Sequence, residues 1–102
     1  MKFTFKAEMQ GLLITFTAER IYSSKQNERF RLTLMGSNES VIVQNNRPAI
    51  YAKKLNKSVQ WHVVEGIVQD KAALLPVYQK LEETINNIPR VLQGTLNFID
   101  KL

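Results

Sequence analysis

The chain has 102 residues, 14 Lys and Arg against 9 Asp and Glu, one His and no Cys. That length suits one domain with a modest core, and a hydrophobic share of 44% excludes a disordered chain. Without Cys there are no disulfides and no thiolate metal sites. The N-terminal residues alternate instead of forming an apolar run, and no stretch approaches a membrane span, so a cytoplasmic protein is expected.

Phe3, Phe5, Ala7 and Met9 alternate with Lys2, Thr4, Lys6 and Glu8, the period of a half-buried strand. Gly11 marks a turn or bulge. Leu12, Ile14, Phe16 and Ala18 alternate with Leu13, Thr15, Thr17 and Glu19 in a second strand that extends toward Tyr22. Ser23 to Asn27 supply turn residues. Phe30, Leu32 and Leu34 alternate with Arg29, Arg31 and Thr33 in a third strand, and Gly36-Ser37-Asn38 turns into a fourth at Val41 to Val43. Connections this short leave no room for crossover helices, so the strands are antiparallel neighbours in a meander.

Pro48 ends the fourth strand and restricts Arg47 to extended conformations. Ile50 to Ala52 then form a brief strand or a loop packed on the core. A polar, basic loop leads to a fifth strand from about Val59 to Val68. Either of its faces, Trp61-Val63-Glu65-Ile67 or His62-Val64-Gly66-Val68, can point inward. Asp70 is placed to cap a helix. Leu74, Val77, Tyr78, Leu81, Ile85 and Ile88 follow at helical spacing, with Pro76 in the first turn and Pro89 beyond the end. Leu92, Leu96, Ile99 and Leu102 continue that spacing in a second short helix or tail over residues 90–102, although Thr95 to Ile99 also fit a strand. The expected architecture is α+β: a four- to five-stranded, mostly antiparallel sheet packed against one or two C-terminal helices in a single domain.

Charge is uneven along the chain. Residues 1–64 carry ten basic and four acidic side chains, residues 65–102 four and five. With the phenylalanines turned inward, the outer face of the meander carries Lys2, Lys6, Arg29 and Arg31 among threonines. Arg47, Lys53, Lys54 and Lys57 extend this set. Such groups can neutralise phosphates and hydrogen-bond to their oxygens, which points to single-stranded nucleic acid or another polyanion. Tyr22, Tyr51 and Trp61 are the candidates for stacking on bases. An ordinary solvated face, charged to blunt edge pairing, accounts for the same residues.

The tail supplies a different function. Val91, Leu92, Leu96, Phe98, Ile99 and Leu102 exceed what a small core accommodates, and a second copy of the chain would cover them. A non-enzymatic interaction module, dimeric through this segment, is therefore expected, with polyanion binding as the alternative. A small-ligand site between sheet and helix, near Trp61 and Tyr78, is a third. His62 and Glu65 fall on opposite strand faces by alternation and make a poor acid–base pair. Glu82 and Glu83 point about 100° apart on a helix. No motif for a cofactor or metal is present.

Overall fold

The computed structural model describes residues 1–89. Five strands, β1 (Lys2–Met9), β2 (Leu12–Ser23), β3 (Glu28–Leu34), β4 (Ser40–Asn45) and β5 (Trp61–Glu65), pair in sequence order, each antiparallel to the next. Two helices complete the described chain, α1 (Arg47–Ala52) and α2 (Leu75–Asn87), with one 3-10 turn at Lys71–Leu74 ahead of α2. The meander and the C-terminal helix stand as expected.

The β1–β2 hairpin closes through Gln10 and Gly11, with φ values of 53° and 82°. Two consecutive positive φ angles give the turn whose twist matches a right-twisted strand pair, and glycine adopts this conformation without penalty. Register then follows from the apolar alternation: Phe3 lies opposite Ala18, Phe5 opposite Phe16, and Ala7 opposite Ile14. A one-residue slip would send every one of these side chains to water.

All four strand phenylalanines belong to one interior. Phe5, Phe16 and Phe30 are buried, and Phe3 packs against them half-buried. Their rings form a chain of contacts, Phe16 to Phe5 to Phe3 to Phe30, at centroid separations of 5.5, 6.2 and 6.4 Å. Leu74, Val77, Tyr78, Leu81 and Ile85 of the helical segment complete the core. Each fully buried side chain of this kind stabilises the fold by about 1.5–3 kcal/mol.

The helix begins where proline dictates. Asp70 accepts a hydrogen bond from the Ala72 backbone N–H, and Pro76 lies in the first turn of α2, where its missing N–H has no partner to lose. The fifth strand is shorter than the Val59–Val68 expected, and its direction is now settled: Trp61 and Val63 pack on the core while His62 and Val64 face outward.

Ile50 to Ala52 are not a strand or a loop. They belong to α1, which starts at Arg47 and has Pro48 in its first turn. Arg47 begins the helix despite the steric preference for an extended residue before proline, and Pro48 stands in the first turn, where its missing N–H has no partner to lose. Residues 90–102, where a second helix or strand and the apolar surplus were expected, lie outside the described residues.

Candidate functional site

Strand pairing sorts the charged residues into rows that cross the sheet. On the outer face one row runs Lys2, Glu19, Arg31, Ile42, and the next runs Thr4, Thr17, Thr33, Ser40. Lys6 stands opposite Thr15. Near the other end a third row runs Tyr22, Arg29, Gln44, His62. Lys2, Lys6, Arg29 and Arg31 are all exposed, and among the described residues no helix packs on this face.

The cations are not equally available. Arg31 donates to Glu19 at 2.8 Å. Arg29 donates to Gln44 at 2.7 Å, and its guanidinium carbon sits 5.2 Å from the centre of the Tyr22 ring. A shallow depression of about 300 Å³ lies over the row, lined by Lys2, Thr17, Glu19, Arg31 and Thr33. It holds three charges and two hydroxyls, an arrangement that can receive an oxyanion beside the Arg31–Glu19 pair.

The remaining candidates divide. Lys53, Lys54 and Lys57 are exposed between α1 and β5, at the end of the sheet that carries the Tyr22 row. Arg47 departs from the expected surface role. It is buried, and its Nε and Nη2 donate to the two carboxylate oxygens of Glu28 at 2.7 and 2.8 Å. Of the three stacking candidates, Tyr22 stands on the outer face, opposite Arg29. Trp61 stacks on Tyr78 at 5.5 Å and 11°, and donates its indole N–H to Glu82. Tyr51 lies beneath Arg47 and donates to Asn86.

The inner face holds an ionic cluster with no counterpart among the sequence expectations. Glu28 is 1% exposed, and Arg20 donates to it at 2.9 Å beside the Arg47 fork. Burial pushes the Glu28 carboxyl pKa up, but the hydrogen bonds and charges of Arg47 and then Arg20 outweigh it, leaving the pKa below its ordinary value. Asn45, also buried, accepts from the Arg47 backbone N–H through Oδ1, while its Nδ2 has no hydrogen-bond partner among the described residues. The signal for this cluster was present in the alternation. Glu28 shares the phase of Phe30 and Leu32, and Arg20 the phase of Phe16 and Ala18, so charged residues occupied positions that had to point inward.

His62 is exposed and faces Gln44. A register shift between Ile42 and Val43 brings Glu65 opposite Ile42, so the alternation counted from His62 does not carry through to Glu65. Lys80 approaches Glu83 at 3.6 Å on the exposed side of α2. Among the described residues no group of three His, Asp or Glu side chains is placed to hold a metal ion, and no helix is long and apolar enough to cross a membrane. Comparison with known proteins returns no match to a family model, to a curated protein or to a solved structure.

Proposed function

We propose that the chain is a non-enzymatic binding module whose ligand, an extended polyanion such as single-stranded nucleic acid, lies across the outer face of the sheet. One observation carries this reading: cations and hydroxyls stand in register across the strands on a face that no described helix covers. Lys2, Lys6, Arg29 and Arg31 supply charge, the Thr4–Ser40 row supplies donors for phosphate and sugar oxygens, and Tyr22 supplies a ring for one base. Lys53, Lys54 and Lys57 extend the positive charge past the end of the sheet.

Fluorescence anisotropy with a labelled oligonucleotide tests the proposal. Binding at low salt should weaken steeply as salt rises, with a slope of log K against log[salt] of roughly −0.7 for each phosphate neutralised. Neutral replacements at Lys6, Arg29 and Arg31 together should make that slope shallower without lowering thermal stability. No binding at low salt, or unchanged affinity in the triple variant, refutes it.

Self-association through Val91, Leu92, Leu96, Phe98, Ile99 and Leu102 is the second reading, supported by the apolar surplus of that segment in the sequence. Sedimentation of the chain with and without the residues after Ile88 measures it. A monomer in both forms removes it.

A further inference from the structure

The row Tyr22, Arg29, Gln44, His62 differs from the rest of the outer face, because its guanidinium is held in place by neutral partners. Arg29 donates through Nε to Gln44 Oε1 at 2.7 Å, and its guanidinium carbon lies 5.2 Å from the centre of the Tyr22 ring. Two such contacts restrain a side chain that ordinarily has much rotamer freedom. Nη1 and Nη2 have no hydrogen-bond partner among the described residues. Together they form a planar fork of donors beside a ring that is 48% exposed. Arg31, by contrast, commits its Nη1 to the Glu19 carboxylate.

We infer that this row reads guanine. The inference rests on the proposed binding of single strands across the outer face and adds which base is preferred there. A fork of two donors needs two acceptors side by side. Guanine supplies them as O6 and N7, the commonest specific partner of arginine among the bases. Adenine sets an amino group beside N7, where it meets a donor, and thymine separates its two carbonyl oxygens by an N–H. The side-chain amide that would read adenine is Gln44, and its oxygen already accepts from Arg29. Cytosine carries O2 next to N3, but it has one ring to lay on Tyr22 where guanine has two. The row also holds no carboxylate, the usual acceptor for the cytosine amino group.

Fluorescence anisotropy with labelled strands of one length gives the test. One strand is thymine throughout; three others carry guanine, adenine or cytosine at every third position, which avoids runs of guanine that associate with one another. The guanine strand should bind about tenfold tighter than the thymine and adenine strands, the scale of one bidentate pair, with the cytosine strand between them. Replacing guanine by 7-deazaguanine, which lacks the N7 acceptor, should remove most of that preference with the protein unaltered. Arg29→Lys keeps the charge and loses the fork, and should bring the guanine strand to the affinity of the thymine strand. Equal affinity for all strands, as when the fork meets phosphate instead of a base, overturns this inference and leaves the outer-face reading in place. A guanine preference that survives in 7-deazaguanine or in Arg29→Lys does the same. No binding to any strand overturns both.

Discussion

Two carboxylate–arginine pairs sit on opposite faces of the same sheet and look alike by distance alone. On the inner face Glu28 accepts from Arg47 at 2.7 Å; on the outer face Glu19 accepts from Arg31 at 2.8 Å. Their surroundings separate them. The Glu28 side chain is 1% exposed and has a second arginine, Arg20, beside it, whereas the Glu19 and Arg31 side chains are 39% and 46% exposed. In water a pair gains little, because solvent already screens each charge and ordering two long side chains costs entropy. Out of water the balance changes sign with completeness. A fully paired cluster is tolerable, and a cluster missing one member leaves a charge stranded in a poor solvent.

The largest effect expected from this contrast is at Glu28. Glu28→Gln leaves Arg47 and Arg20 buried without their anion and should destabilise the fold by about 3–5 kcal/mol, read as a lowered midpoint in urea with an unchanged slope. If the loss stays below about 1 kcal/mol, the inner pair behaves like the outer one and the contrast fails.

Acid sharpens the same point. The folded-state pKa of Glu28 lies below its ordinary value, so the folded chain releases this proton more readily than the unfolded chain. Its contribution to stability is therefore present above the ordinary glutamate value, about 4.3, and is lost as pH falls through the depressed folded value. Glu28→Gln removes the titrating group. Its stability should fall less than that of the unaltered chain between pH 5 and pH 2, measured by urea unfolding at each pH. Parallel curves for the two proteins would show that other carboxylates carry the acid response.

The same two pairs show how far sequence reaches. Glu19 and Arg31 were legible, since each alternates with apolar neighbours and falls on the outer face once the phenylalanines point in. The strands themselves were legible for that reason: one covered face and one wet face impose a period of two. The phase of Glu28 turned it inward, but its pairing with Arg47 was not legible, because that partnership spans 19 residues and a turn that periodicity cannot fold. The short helix α1 was hidden because Pro48, read as the end of a strand, stands instead in the first turn of a helix, where its missing N–H costs nothing. The direction of β5 was open because both its faces carry apolar residues, and long-range packing decides between them: Trp61 against Phe30 and Tyr78, with Val63 on the core.

The smallest expected change in stability comes at Glu19, and it has the most bearing on function. Glu19→Gln removes an exposed pair and should cost about 0.5 kcal/mol or less. It also takes a negative charge from the depression shared with Lys2 and Arg31 and releases Arg31 from its carboxylate. If the outer face receives phosphates, that one change should tighten oligonucleotide binding by about threefold at low salt and steepen the salt dependence, since one more cation displaces counterions. Glu28→Gln has no such route to the ligand. Tighter binding at position 19 with near-constant stability, set against large destabilisation at position 28, would assign binding to one face of the sheet and stability to the other. Weaker or unchanged binding in Glu19→Gln would mean that Arg31 does not meet the ligand, and the outer row would revert to an ordinary solvated surface.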